Sequence, residues 1–319
     1  MPLVSIIIAA YRAERWIDEA VASARAQTHR EIEIIVVDDA SLDGTVARIQ
    51  NHVTADPRVR LFRLPENRGQ SAALNHGLSH AHGEYVKFFD ADDVLSPEMV
   101  ARQLAVLDGH PGKVAYGEWA RFSLDSAEAV FTPHPGWSDG APLDWILETW
   151  RDTEPMYQCA LFLIPRTLLD RTGGWDTSLS LILDFEFFTR VILASAGVRF
   201  ASGARLYYRS NLPGSISRLK SDAALGSAWR ATRLATDYVL AIDKSPRTLR
   251  ICADVFQSFV YSYYPSRPDL IQAALDEVQR LGGSDLIAPG GRGFRLVSRL
   301  FGWRAALRIR RRAIVRKTE

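Results

Sequence analysis

The chain has 319 residues, 47% of them hydrophobic and 24% charged, with a formal net charge of +2. That mix excludes a disordered or fibrous chain, and the length suits one large domain plus an extension. Two cysteines, Cys159 and Cys252, lie outside any CxxC or Cys/His cluster, which excludes a zinc site and a disulfide scaffold and suits a reducing cytosol.

The first ninety residues alternate between two periodicities. Val4–Ala9 is a continuous β-branched run, as expected of a strand covered on both faces, and Ile17, Ala20, Val21 and Ala24 then recur at helical spacing. Ile32–Val37 reads as a second buried strand, Val46, Ile49 and Val53 as a short helix, and Val59–Leu64 as a third strand. Leu74, Leu78 and Ala81 fit a helix ending at Gly83, and Tyr85–Phe89 a fourth strand. This order predicts an α/β fold with a mostly parallel, Rossmann-like sheet flanked by helices. Farther on, the pattern predicts a helix over Pro97–Asp108, strands at Val114–Phe122 and Ala160–Ile164, and a loop at Pro133–Pro142. A helix over Asp184–Ala196 and a short strand at Arg205–Tyr208 follow. Beyond Ser221 the chain reads as helical, with breaks at Ser266–Pro268 and Gly290–Gly293. The expected division is a catalytic domain over 1–218 and a helical C-terminal region over 219–319. The apolar run at Val4–Ala10 is too short for a signal peptide and no window suits a membrane span, so any membrane contact is expected to be peripheral.

Acidic residues follow the strand ends, where open parallel sheets bind ligands. Asp38 and Asp39 close the second strand; Asp39 is assigned to ligand binding, and Asp43 to capping or turn formation before the next helix. Asp90, Asp92 and Asp93 follow the fourth strand. Carboxylates packed this closely repel one another unless a cation sits between them, and their oxygens suit Mg²⁺ or Mn²⁺. Asp93 alternatively braces the turn. Asn67–Asn75 places Gly69 and Gln70 at a helix start, a geometry that favours anions, though an ordinary turn reads the same way. Asp184 stands at a helix start among aromatic residues, as either a general base or an N-cap.

Taken together, Val4–Tyr11, Val37–Ser41, Asn67–Asn75, Gly83–Tyr85 and Asp90–Asp93 resemble the family 2 glycosyltransferases of the GT-A fold, and the resemblance runs to about Ser217. It implies an inverting, metal-dependent transferase that moves sugar from a nucleotide-diphosphate sugar, UDP-sugar favoured, to an acceptor hydroxyl. Ala9, Tyr11 and Asp39 would line the nucleobase pocket. Gln70 and Asp90 would join the donor contacts, Asp92 would ligate Mn²⁺ or Mg²⁺, and Asp184 would be the base. The family usually has Glu before that base; here it is Leu183, with Glu186 as the substitute considered. Tyr208–Ser217 resembles a loop closing over the diphosphate, with Asn211 near the position of a usual His; Arg209 and Ser215 would contact phosphate oxygens, Arg209 alternatively being a surface strand residue. The implied setting is cell-surface polysaccharide or glycolipid synthesis, with a saccharide or lipid-linked saccharide acceptor. The alternatives are a sugar nucleotidyltransferase, for which the Gly-rich basic N-terminal loop is missing, and a non-catalytic nucleotide-sugar-binding scaffold.

Between Leu286 and Thr318 there is no acidic residue, and arginines from Arg292 to Arg316 interleave with Leu296, Leu300, Phe301, Trp303, Leu307, Ile309 and Ile314. Such a segment either packs on its own domain or lies on an anionic membrane surface. The expectation from 292–317 is a cytoplasmic protein, peripheral on the inner face of the plasma membrane. No recognition motif accompanies the charge, so nucleic acid is not an expected partner.

Overall fold

A computed structural model describes residues 1–151, 153, 155–210 and 221–318. Strands β1 (Val4–Ala10), β2 (Ile32–Asp38), β3 (Val59–Arg63) and β4 (Tyr85–Asp90) form a parallel half-sheet in the order β3-β2-β1-β4. Helices α1 (Ile17–Arg25), α2 (Thr45–Ala55) and α3 (Gln70–Ser79) connect them. Six of the seven β1 residues are buried because helices cover both faces of the sheet, which is why its sequence shows no alternation. Helix α1 buries Ile17, Ala20, Val21 and Ala24, the positions its spacing marks. Helix α3 approaches β1 closely: a methyl at Gly77 would stand 2.3 Å from Ile7 Cγ2.

The sheet continues through β7 (Phe162–Pro165), β6 (Val114–Phe122), β8 (Val198–Arg209) and β5 (Val94–Leu95). Here the pairing is mixed: β7 runs antiparallel to β4 and β6, β6 and β8 are parallel, and β5 is antiparallel to β8. Helices α4 (Met99–Leu107), α5 (Pro142–Trp150), α6 (Arg166–Thr172) and α7 (Leu183–Ala194) pack around this half.

Several elements depart from expectation: α3 ends at Ser79 rather than Gly83, and β5 and α6 were not anticipated. The strand expected at Arg205–Tyr208 begins at Val198, obscured in sequence by Gly203 (φ 76°) and by a register shift opposite Tyr116/Glu118. The strand expected from Ala160 starts at Phe162, after a 3₁₀ turn at Cys159–Leu161. Helix α4 starts at Met99 rather than Pro97. Helix α5 was not anticipated beside the Pro-rich segment; Pro142 opens it, and it buries Trp145 and Trp150.

The C-terminal part consists of α8 (Asp222–Ile242), α9 (Pro246–Tyr263), α10 (Pro268–Arg280) and α11 (Arg292–Thr318). The break before α10 falls where the sequence places it; the one before α11 opens earlier, after Arg280, and a further break between Ile242 and Pro246 was not anticipated. This part shares the main core: Ala231, Ala235 and Val239 of α8 and Cys252 and Phe256 of α9 join the cluster that contains the sheet. A second cluster gathers Phe259, Val260, Tyr264, Ile271, Ala274 and Leu307, with Trp303 packed against it. Helix α11 is kinked at Gly302 (φ 80°), and on its N-terminal side Leu296, Leu300 and Phe301 are exposed. No helix among the described residues is long and apolar enough to cross a membrane.

The tight α3–β1 contact yields a stability prediction. Gly77→Val must push α3 off Ile7 and should cost about 1–3 kcal/mol, the usual range for overpacking. Urea denaturation measures this, and an unchanged midpoint would show that the contact yields freely.

Candidate functional site

Parallel register brings the strand ends together. Ala9 lies opposite Val37 of β2 on one side and Asp90 of β4 on the other, and Ala10 lies opposite Asp38. Beyond them the chain leaves the sheet with Tyr11, which is 45% exposed. The β2–α2 loop fastens the β1–α1 loop. Ser41 Oγ accepts from Arg12 N at 2.9 Å, and Thr45 Oγ1 accepts from Ala13 N at 2.8 Å. Asp43 serves the turn, accepting from Thr45 N at 3.2 Å and from Thr45 Oγ1 at 2.6 Å.

Asp39 is buried at the centre of this edge. One oxygen accepts from Arg68 N at 2.7 Å and the other from Gly69 N at 2.8 Å, while its own N donates to Ala10 O at 2.8 Å. It therefore fixes the loop that leads into α3, where Gly69 has φ 84°. Helix α3 opens with Gln70, whose Nε2 donates to Asp90 Oδ1 at 2.7 Å.

Asp90, Asp92 and Asp93 each present a carboxylate oxygen within 4.8 Å of the others. Their surroundings differ. Asp93 is fully buried and braces the turn: Oδ1 accepts from Arg209 N at 2.7 Å and Oδ2 from Gln158 Nε2 at 2.6 Å. The same Gln158 nitrogen donates to Asp90 Oδ2 at 3.0 Å, and Cys159 Sγ lies 3.6 Å from Asp90 Oδ1. The Asp92 carboxylate has no hydrogen-bond partner on another residue among the described ones. Burial, and for Asp92 and Asp93 the neighbouring carboxylates, raise all three acids above the ordinary range, Asp92 to about 7. Burial and the charge of Asp90 also push Asp184 well up. Three hard oxygen donors with compressed charge and one free carboxylate fit a divalent cation.

Asp184 sits in the first turn of α7, whose N-cap position is Ile182 in the left-handed region (φ 50°), so Asp184 does not cap the helix. Its Oδ1 is buried without a hydrogen-bond partner among the described residues, an arrangement that costs about 1–3 kcal/mol. Leu183 is core, 4% exposed. Glu186 does not stand in for the absent Glu. It is buried, forms an ion pair with Arg190 at 2.7 Å and accepts from Tyr238 Oη at 3.0 Å.

Arg209 is neither a surface residue nor open to phosphate oxygens in the way expected. Its side chain is 1% exposed, and each guanidinium nitrogen donates to protein: Nε to Asp92 O at 2.7 Å, Nη1 to Ser123 O at 3.2 Å, and Nη2 to Glu19. The guanidinium is sandwiched between Trp16 and Phe122, 4.2 and 4.3 Å from their ring centroids. Asn211 and Ser215 lie outside the described residues. Gln158 escaped sequence reasoning, since nothing near it in sequence marks an amide that will link two acids more than sixty positions away.

Comparison with known proteins follows the geometry. The profile described as "Glycosyl transferase family 2" matches residues 5–172. An uncharacterised glycosyltransferase of Haemophilus influenzae is 36% identical over 125 residues, 39% of this chain and 50% of that protein. The succinoglycan biosynthesis protein ExoO of Rhizobium meliloti is 36% identical over 125 residues, 39% of this chain and 35% of that protein. The chain thus matches half or less of the length of these relatives. Among solved structures, residues 1–349 of S. aureus TarS in complex with UDP-GlcNAc superpose with a TM-score of 0.73 at 19% identity, covering 98% of this chain and 92% of that one. This last likeness shows the same fold.

The raised carboxyls make a signed prediction for the metal-free protein. A carboxyl whose folded value lies above its unfolded 3.8 stabilises the fold below about pH 4 and loses that contribution as pH rises through its folded value, about 7 for Asp92. Asp92→Asn should therefore gain thermal stability over the native chain as pH goes from 5 to 7.5. Melting curves at both pH values with chelator check this; a gap independent of pH would show that Asp92 does not carry the strain.

Proposed function

Since the chain belongs to glycosyl transferase family 2, we propose that it is an inverting, metal-dependent transferase that moves a sugar from a nucleotide-diphosphate donor to a saccharide hydroxyl. One observation carries the reading: three separate stretches deliver Asp39, Asp90 with Asp92, and Asp184 to one sheet edge, and among the described residues no neighbour claims the Asp92 carboxylate or Asp184 Oδ1. Ala9, Tyr11 and Asp39 line the nucleobase side. Gln70 and Asp90, already hydrogen-bonded to each other, face the ribose and the sugar. Asp92, with Asp90 and Asp93 beside it, would hold Mn²⁺ or Mg²⁺, which would supply positive charge against a diphosphate leaving group.

Asp184 takes the proton from the acceptor hydroxyl. Its raised proton affinity suits a base, and with Oδ1 unpaired it requires no bond to be broken first. Deprotonation on the side opposite the leaving group makes the attack in-line and inverts the anomeric centre. Arg209 serves as a positioning residue that fixes the Asp92–Asp93 turn against α1 and β6. Residues 1–218 form the catalytic unit and 219–319 brace it. UDP is the favoured nucleotide carrier, and the setting is cell-surface polysaccharide or glycolipid synthesis, as the names of ExoO and the complex of TarS support.

Asp184→Asn should lower transfer by about 10²–10⁴-fold, the usual range for a lost general base, while donor binding stays near native. Asp92→Ala should abolish the Mn²⁺-dependent part of donor binding. Calorimetry with UDP-sugars and a transfer assay read both effects; near-native turnover in Asp184→Asn would remove the base assignment.

The N-terminal half of α11 supplies the membrane component of this reading. Leu296, Leu300 and Phe301 are exposed in a segment without acidic residues, while Trp303 and Leu307 anchor the helix to the second cluster. That arrangement suits attachment to an anionic lipid surface on the cytoplasmic side, where lipid-linked acceptors are found. Replacing Leu296, Leu300 and Phe301 by Ser should strongly reduce flotation of the full chain with phosphatidylglycerol vesicles; undiminished flotation would exclude this surface.

A further inference from the structure

Arg121 differs from the arginines around it. On the same strand pair Arg205 meets Glu118 at 3.1 Å, and Arg209 meets Glu19. Arg121 is exposed, and its guanidinium makes no hydrogen bond or ion pair with any described residue. Its guanidinium lies within cation–π range of two rings, 5.6 Å from the Trp119 centroid and 5.1 Å from that of Tyr208. Stacking on rings engages the face of the guanidinium and leaves its in-plane N–H groups free. A guanidinium flanked by two rings and lacking an acceptor is biased toward one region, which lowers the entropy cost of receiving an anion there.

The receptor borders the proposed active site. Arg121 pairs in register with Tyr208, and Trp119 with Leu206. Tyr208 precedes Arg209, whose N is hydrogen-bonded to Asp93. Burial, together with the charges of Asp93, Asp90 and Asp92, pushes the Tyr208 phenol up to about 12, so the ring adjoins the acid cluster. Trp119 Nε1 is buried and lacks an acceptor among the described residues, a second unclaimed donor on the same side of β6.

We propose that Arg121, held by Trp119 and Tyr208, is an acceptor subsite that recognises an anionic saccharide through its carboxylate or phosphate. This rests on the transferase reading and adds the acceptor class to it. A planar guanidinium takes either anion through two parallel N–H donors, which a neutral sugar cannot match.

The test uses the purified full chain and three probes: a glucuronate-containing trisaccharide, a phosphate-bearing trisaccharide and neutral maltotriose. Their affinities are read by saturation-transfer NMR. The native chain should bind at least one anionic probe about fivefold or more tighter than maltotriose, and the tighter of the two identifies the anion. Arg121→Gln should bring all three to parity, and Arg121→Lys should restore only part of the preference. UDP and GDP affinities with Mn²⁺, measured by calorimetry on the same proteins, should stay within about twofold. An anionic preference that survives Arg121→Gln overturns the subsite. A tenfold loss of nucleotide affinity in that variant overturns it too, because Arg121 then serves the donor phosphates. If neither UDP nor GDP binds the native chain, the transferase reading fails instead, and the saccharide affinities still decide Arg121.

Discussion

The site depends on keeping several carboxylates together at an apolar strand end. Three of them gather within 4.8 Å and a fourth, Asp184, feels the charge of Asp90. Burial opposes their ionisation, and each one's charge opposes its neighbours'. The fold compensates with donors rather than with counter-charges in the cleft. Gln70 and Gln158 give amide hydrogens to Asp90, and Gln158 and the Arg209 backbone satisfy Asp93. The strong cation nearby, Arg209, donates to the Asp92 carbonyl and Glu19 rather than to the clustered carboxylates, and its charge offsets only part of what burial and mutual repulsion raise on Asp92 and Asp93. Negative charge at the edge is thus arranged and only partly offset, which suits the divalent cation proposed for it.

The parallel half-sheet was legible because burial on both faces produces long β-branched runs, as in Val4–Ala10 and Ile32–Asp38, and no other element of that length reads so. The acids were legible because strand ends in such a sheet share one edge. What escaped was set by contacts distant in sequence. Gln158 acts only through Asp90 and Asp93, which precede it by 68 and 65 positions. Arg209 was misjudged because its partners, Trp16 and Glu19, lie on the first helix turn of the chain, and strand periodicity does not reveal which cation is enclosed. Strand β8 was cut short because Ser202 and Gly203 break its alternation where it bulges against β6.

The mixed half of the sheet and the C-terminal helices carry the geometry of Asp184, the proposed base. Helix α7 packs its Phe187 and Phe188 against Trp175 and Phe162, with Trp175 stacked on Phe187 at 3.8 Å. Helix α8 adds Tyr238, which donates to the Glu186–Arg190 pair. Arg190 in turn donates to Thr172 O at 2.7 Å and Gly174 O at 3.0 Å, so the turn before α7 is fixed from the far side. Rigidity at this helix start is what permits Asp184 to keep an unpaired buried oxygen without relaxing toward a nearby donor.

The same packing bears on the acceptor. Where the resemblance places a Glu, this chain has Leu183, directed into the core, and Glu186 is bound to Arg190. The acceptor side of the cleft therefore lacks the carboxylate that would contact a neutral sugar hydroxyl. A carboxylate there would also repel an anionic acceptor, at a cost that grows as water is excluded. An unpaired guanidinium on β6 would favour such an acceptor over a neutral one. Leu183 is accounted for by its place in the core, so Arg121 is the observation on which the anionic acceptor rests.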